Sequence, residues 1–544
     1  MEDRNQCPVP HANESPTVYA DRVGRWYVAS VSEAHKKQLG QYLTPVAVAR
    51  FMAKLCHRAG PAAVCVLDPG AGAGVLSCAV CEFLAGRRAG PRQLDLTGYE
   101  IDAGLASCLV TSLSYAKEWL RARGVALTFS VEVEDFVMAQ ADSLGHSAGL
   151  FQVGGDGATG FDIAISNPPY FKVPKSDPRA QAATDVVHGQ PNIYALFMAV
   201  SASLLRPGGR FVFITPRSYA AGPYFRRFRE RFLGFMRPDA IHLFGSRRDA
   251  FSRDDVLQEN VILAAERVDG WRRERGRHLV RISTSIGPSD LDDSSARDVP
   301  LAEILDPASK ENVLRIPVGG EDEEIIRIVS SWADRLGSYG LQISTGPVVP
   351  FRAVRFLSKS GNVGSTHAPL LWMQNVAAMR VDWPTQARGK PQYIGVSPAS
   401  MPLLVPNGNY VLLRRFSAKE QPMRLTAAPL LAGELPSSFI GLENHLNYIH
   451  RPGGSLTEEE AYGLAVLFNS TLLDTYFRLC NGNTQVSATE LRAMPLPKRD
   501  LVLAMGRRAR AASHAPSGDA ADAIVEDILN LQWPTLRANE VAHV

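Results

Sequence analysis

The stretch FDIAISNPPYFKV, Phe161 to Val173, runs from an apolar strand straight into Asn167-Pro168-Pro169-Tyr170. Two consecutive prolines cannot continue a sheet ladder, because each lacks an amide N–H and each restricts the residue before it. The strand must end here. Beyond it lies a stiffened turn carrying a carboxamide and an aromatic ring. In an open α/β sheet, the C-terminal ends of the strands are where ligands bind.

Outward from this stretch, short apolar runs alternate with amphipathic ones. AAVCVLDPG (62–70) reads as a strand and GVLSCAVCEFLAG (74–86) as a helix. LDLTGYEID (94–102) and ALTFSVEVEDF (126–136) are further strands, with a long helical segment between them. IYALFMAVSASLLRPGG (193–209) is a helix closed by glycines, and RFVFITP (210–216) is the next strand. This alternation predicts a parallel α/β sheet with helices on both faces. Upstream, Val46, Val48, Phe51, Met52 and Leu55 can share a helical face, with Thr44 as N-cap and Pro45 at the first helical position.

The other strand ends carry chemistry too. Gly70, Gly72 and Gly74 in LDPGAGAG let the chain turn tightly after Asp68 and approach a ligand closely. Glu100, ending the second strand, can accept both ribose hydroxyls of an adenosine-containing ligand, which leaves NAD and S-adenosylmethionine both open. Asp135 and Phe136, ending the third, can meet an adenine by its exocyclic amine and its ring face.

Asn167-Pro168-Pro169-Tyr170 separates the two cofactors. The lone pair of an exocyclic amine is delocalised into its ring, so the nitrogen is a poor nucleophile. The Asn167 carboxamide oxygen and a neighbouring carbonyl can each accept one N–H. That frees the lone pair for in-line attack on a sulfonium methyl. Pro168 and Pro169 fix the carbonyl and Tyr170 can stack on the base, so the gain is orientation and electrostatics. Methylation of a ring carbon would instead need a Cys nucleophile, and no Cys lies near this segment.

Taken together, these residues resemble the adenine-N6 DNA methyltransferases of restriction–modification systems, of the γ-class or TaqI type. In that family a cofactor motif precedes the glycine turn. KKQLGQYLTPVAVARFMAKL (36–55) is similar to it, which implies cofactor contacts from Tyr42, Thr44 and Pro45. The resemblance likewise assigns cofactor contacts to Asp68, Pro69, Gly70, Gly72, Glu100, Ile101, Asp135, Phe136 and Asn167. It implies catalysis by Asn167, Pro168, Pro169 and Tyr170, and stacking of a flipped adenine between Tyr170 and Phe251. Farther on, ISTGPVVPF (343–351) and LCNGNTQVSATELRAMPLP (479–497) look like pieces of a target-recognition domain. There Asn483, Thr484 and Gln485, with Arg414 and Arg415, are the implied DNA contacts.

The implied protein is a class I S-adenosylmethionine-dependent methyltransferase with a Rossmann-like sheet and a C-terminal target-recognition domain. Its substrate is an adenine in double-stranded DNA, and a separate restriction endonuclease acting on the same site is its expected counterpart. The expected organisation is an extension over 1–35, a catalytic domain over 36–300, a DNA-recognition domain over 301–500 and a helical tail over 501–544. GPSDLDDSSARD (287–298) is the expected connection between the two domains. In the tail, AADAIVEDILNL (520–531) reads as an amphipathic helix. TEEEAYGLAVLFNSTLLDTYFRL (457–479) reads as one helix opened by a Thr457–Glu460 capping box.

Bulk properties narrow the field. The 544 residues are 45% hydrophobic, with a net charge of only +3. From Arg226 to Arg253, however, eight Arg face three acids (Glu230, Asp239, Asp249), a local excess expected to suit a polyphosphate. The seven Cys are scattered, the start lacks an apolar signal segment, and no apolar run reaches a membrane span. These point to a cytoplasmic protein with free thiols and no membrane partner, and the resemblance to restriction–modification enzymes implies a prokaryotic one. Cys78 and Cys81 form a lone C-x-x-C, which reads as packing, so no metal is expected. Rival readings are a cytosine-N4 DNA methyltransferase, a guanine-N2 RNA methyltransferase and a protein glutamine-N5 methyltransferase. A relic nucleic-acid-binding protein and a fused nuclease are set aside, the latter because only about 35 residues precede the first cofactor motif.

Overall fold

A computed structural model describes residues 7–32, 43–57, 62–144, 160–186, 191–244, 260–272, 278–305, 312–317, 319–364, 366–385, 389–417, 421–480, 485–512, 516 and 518–531. The chain divides into two compact units, residues 1–318 and residues 319–543.

The first unit is the expected α/β layer. Its strands are β1 (Ala63–Pro69), β2 (Gln93–Tyr99), β3 (Ala126–Glu132), β4 (Phe161–Ser166), β5 (Leu205–Pro216), β6 (Met236–Phe244), β7 (Asn260–Arg267), β8 (Leu279–Ser285) and β9 (Ser295–Pro300). They lie in the order β3-β2-β1-β4-β5-β7-β6-β8-β9. β1 to β5 run parallel, while β7 runs antiparallel to both β5 and β6, so the sheet is mixed rather than wholly parallel. The strand order reverses between β1 and β4, which opens a crevice at their C-terminal ends.

Its helices include α1 (Pro16–Ser30), α2 (Val46–Leu55), α3 (Val75–Ala85), α4 (Ala103–Arg121), α5 (Phe136–Gln140), α6 (Pro178–Ala182), α7 (Ile193–Leu204) and α8 (Arg226–Phe235). Two cores flank the sheet, and β5 shows how. Phe211 and Phe213 point into the core shared with α7 and α8, while Val212 and Ile214 point into the core shared with α2, α3 and α4. Alternation of side chains along a strand makes one apolar strand serve both faces.

Several expectations change. The leader holds a 15-residue helix, α1, begun by Pro16 at its first turn. Tyr19, Ala20 and Val23 are buried on it. Residues 287–298 are no connection: β9 pairs antiparallel with β8 within the sheet. Leu301, Ile304, Leu314 and Ile316 bury into the same core, which carries the first unit on to residue 318. Pro45, not Thr44, is the N-cap of α2.

The second unit begins at Gly319. Its four-stranded antiparallel sheet pairs Gln342–Thr345, Leu446–His450, Tyr410–Arg414 and Ala427–Leu430 in that order. A five-stranded sheet joins Leu357–Ser358, Tyr393–Gly395, His367–Leu371, Phe439–Leu442 and Leu404–Pro406. The Thr457–Glu460 capping box is present, with Thr457 Oγ1 accepting from the Glu460 amide at 3.1 Å and Glu460 Oε2 from the Thr457 amide at 2.9 Å. The single helix expected over 457–479 is two, Glu458–Phe468 and Thr471–Cys480. Asn469 breaks it, because its side chain bonds both the amide and the carbonyl of Ala427.

The tail helices Arg499–Ala511 and Asp519–Leu529 belong to this unit's core through Val502, Met505, Ile524 and Val525. Two glycines allow the close approach of Arg499–Ala511 to Glu458–Phe468. A Cβ on Gly463 would fall 1.9 Å from the Val502 carbonyl oxygen, and one on Gly506 would fall 1.9 Å from that of Glu459. Among the described residues, no helix is long and apolar enough to cross a membrane.

Candidate active site

β1, β2 and β4 end side by side and build a cavity of about 230 Å³. Its floor is the glycine turn. The amides of Gly70 and Ala71 both donate to the Tyr99 carbonyl, at 2.9 and 2.8 Å, which ties the end of β1 to the end of β2. Gly70, Gly72 and Gly74 take φ of 93°, 56° and 90°, a left-handed region that only glycine enters without strain. At Gly74 a Cβ would also meet Leu109 at 2.8 Å.

Glu100 faces the cavity just beyond β2. Its Oε2 accepts from the Gly72 amide at 3.0 Å and its Oε1 from the Asp102 amide at 2.9 Å. Burial raises its pKa to about 7 against the pull of those donors. Asp68 lies behind the turn and does not line the cavity. Its Oδ2 accepts from Ser77 Oγ at 2.6 Å, and its buried Oδ1 has no hydrogen-bond partner among the described residues. Burial, with Glu100 close by, raises its pKa to about 7 as well.

Asp135 caps α5, its Oδ1 accepting from the Met138 amide at 3.0 Å. Phe136 follows as part of an aromatic wall, 5.1 Å from Tyr99 and 5.3 Å from Phe197 between ring centroids. Opposite the glycine turn stands Asn167, at the end of β4. Its Nδ2 donates to Thr44 Oγ1 at 3.1 Å, and its Oδ1 accepts from the Tyr170 hydroxyl at 2.5 Å. Both ends of the carboxamide are thereby oriented. Ser166 Oγ donates to the Pro69 carbonyl at 2.7 Å, locking β4 onto β1.

Of the expected site residues, Gly70, Gly72, Glu100, Ile101, Asp135, Phe136, Asn167 and Pro169 line this one cavity. Asp68, Pro69, Thr44, Pro45, Pro168 and Tyr170 are outside its lining. The Tyr170 ring is buried edge-on against Tyr194, and its neighbour Phe171 reaches the cavity instead. Tyr42, Phe251, Asn483 and Thr484 lie outside the described residues. In the second unit, Arg414 Nε donates to the Val376 carbonyl at 2.6 Å and Arg415 to that of Asn444 at 2.9 Å. Both guanidinium groups thus brace the unit's own backbone. Gln485 sits in an isolated bridge with Phe416. The Arg excess after residue 226 is likewise absorbed in part: Arg229 is buried on the carbonyls of Tyr219 and Gly222, and Arg237 pairs with Asp239 and Glu266.

Sequence reading missed Leu43, Tyr99, Phe171, Arg179 and Phe197, all of which line the cavity. Arg179 is the notable one. Asp177 holds it through two bonds of 2.8 and 2.7 Å, and its guanidinium lies 3.6 Å from Asp135 Oδ2. The spacing Asp-Pro-Arg after an N-P-P-Y turn was visible, but nothing in it told where the loop would fold back.

Two relatives decide the family. The Type II methyltransferase M.BsuBI of Bacillus subtilis is 34% identical over 473 residues, covering 87% of this chain and 90% of its own. The Type II methyltransferase M.PstI of Providencia stuartii is 32% identical, covering 89% and 92%. The chain belongs to the Type II methyltransferases. Residues 123–251 of this methyltransferase also match the Eco57I restriction-modification methylase family. That span holds Asp135, Phe136 and the whole Asn167–Tyr170 turn.

The residues present suit an adenosine-containing cofactor. Glu100 offers a carboxylate facing the cavity beside the turn of Gly70 and Gly72, and the Phe136–Tyr99–Phe197 wall offers an apolar face. Asp68, when ionised, adds negative charge behind the turn, which favours a cationic ligand.

Proposed function

We propose that this methyltransferase methylates the exocyclic N6 of an adenine in double-stranded DNA, using S-adenosylmethionine. One observation supports the reading above others: an Asn carboxamide, oriented at both ends, stands at the mouth of a cavity floored by a glycine turn and an acid. When bound, S-adenosylmethionine supplies an electrophilic methyl on a sulfonium. Glu100 would hold its ribose, and Asp135 and Phe136 its adenine.

Asn167 carries the chemistry. Its Oδ1 has a second lone pair beyond the one given to Tyr170, and this can accept an N–H of the target amine. Pro169 stiffens the turn beside it, so little reorganisation is left for the moment of reaction. The target base must leave the helix to reach such a recess, at a cost of about a few kcal/mol. Phe251 is the proposed stacking partner for that base, and Gln485, Asn483 and Thr484 are proposed DNA contacts of the second unit. The biological reading is protection of host DNA in the bacterial cytoplasm against a separate endonuclease acting on the same site.

Sequencing that detects modified bases, applied to DNA from cells expressing this chain, tests the reading. N6-methyladenine at one recurring sequence is the expected result. N4-methylcytosine would replace adenine by cytosine as the target, and unmodified DNA would overturn the proposal.

A further inference from the structure

The second unit carries an exposed apolar face that the site described above does not use. Phe351 and Val354 are 76% and 67% exposed. They lie three residues apart on one helical turn, Pro350–Ala353 continuing into Val354–Phe356. Ala353 between them is buried and anchors the turn. Two large apolar side chains therefore stand exposed side by side on one turn.

Charge says what kind of contact. Residues 335–381 contain five basic side chains (Arg335, Arg352, Arg355, Lys359 and Arg380) and no Asp or Glu. Arg335 is spent on backbone carbonyls and Arg380 on Asp382. Among the described residues, Arg352, Arg355 and Lys359 pair with no carboxylate. Instead Arg352 lies over the Phe351 ring at 5.4 Å and Arg355 over Phe356 at 4.6 Å. Two apolar side chains are far too little for a stable protein interface, which buries about 800 Å² on each partner. An apolar tip ringed by uncompensated guanidinium groups fits a stacked polyanion instead.

We propose that Phe351, backed by Val354, is a wedge that enters a base step of duplex DNA, with Arg352 and Arg355 on the flanking phosphates. Proteins that deform DNA insert such side chains between base pairs. An extrahelical target base makes local unstacking useful to this methyltransferase. The inference rests on the DNA reading above.

The test uses the full chain, a fluorescently labelled duplex and a salt series. Arg352→Ala/Arg355→Ala should lower the slope of log affinity against log salt by about 2. Phe351→Ala should weaken binding about tenfold with the slope unchanged, and should lose the fluorescence rise of 2-aminopurine placed along the duplex. Since all three side chains are exposed, the variants should keep the parent's melting temperature. Wild-type affinity and slope in both variants would overturn the wedge alone, provided wild type binds and methylates the DNA. A homodimer that Phe351→Ala dissociates, with DNA binding unchanged, would give the face to a second copy. A wild-type protein that binds no duplex would overturn the wedge and the DNA reading together.

Discussion

The Tyr170 hydroxyl lies 2.5 Å from Asn167 Oδ1 and 3.0 Å from the Ile214 carbonyl oxygen, so one donor is shared between the turn and the neighbouring strand. The hydroxyl fixes the carboxamide that the proposed chemistry uses. Tyr170→Phe keeps the ring and removes the donor. The expected result is about a tenfold loss in single-turnover rate, the equivalent of about 1.4 kcal/mol, with cofactor affinity retained. Asn167→Ala should abolish transfer while still binding cofactor by calorimetry. An unchanged rate in Tyr170→Phe would remove the hydroxyl from the argument.

Arg179 reaches Asp135 across the cavity rim. Its side chain is about a quarter exposed, so the pair is partly screened. Arg179→Ala should weaken S-adenosylmethionine binding by roughly 3–10-fold, by freeing Asp135 and removing cavity wall. A dissociation constant equal to that of the parent would confine Arg179 to bracing its own loop.

Asp68 and Glu100 both titrate at about 7 in the folded chain. The unfolded chain releases those protons near pH 4. Between the two, the native state binds more protons, so stability falls as pH rises toward and through 7. Buried His242, lowered to about 4, works the other way below about pH 6.5, where the unfolded ring is still charged. The informative interval is therefore pH 6.5 to 8. There the melting temperature should fall, and Asp68→Asn should flatten the fall. Ionised Glu100 is the better acceptor for ribose hydroxyls, so cofactor affinity should rise over the same interval. A parent and Asp68→Asn with identical profiles would contradict the assignment.

Gly74 combines φ of 90° with a Leu109 methyl 2.8 Å from where a Cβ would stand. Gly74→Ala should destabilise the fold by about 1–3 kcal/mol and weaken cofactor binding together with it. Chemical denaturation and calorimetry measure the two. A loss of binding without loss of stability would argue that the turn adapts.

The strands β1 to β5 and their ends were legible in the sequence because apolar runs stop at Asp68, Glu100 and Asn167 within a few residues. The local turn chemistry of glycine and proline is enough to place them. The cavity's far wall was not legible. Phe171 and Arg179 arrive by a loop that folds back, and Phe197 arrives from a helix buried on every side. Their positions are set by tertiary packing rather than by local pattern. β6 and β7 went unread although MRPDAIHLF and NVILAAER are apolar, since nothing local marks their antiparallel pairing. In the second unit, strands of two to five residues pair across as many as 108 positions, as Gln342 with His450 does. Periodicity has too little length to register there. The boundary at 318 was missed because the polar run 287–298 resembles a linker while its last residues are an edge strand.

The helix α1 has a consequence for anyone who would trim this protein. Gly24 sits where a Cβ would press on Ala73 at 3.0 Å, directly beneath the glycine turn. Tyr27 donates to Asp102 Oδ1 at 2.6 Å, and the Asp102 amide in turn donates to Glu100. The apparent preface to the chain is the underside of the pocket. A minimal version begun at the first recognisable motif would keep every residue that a motif search highlights and lose the surface they rest on.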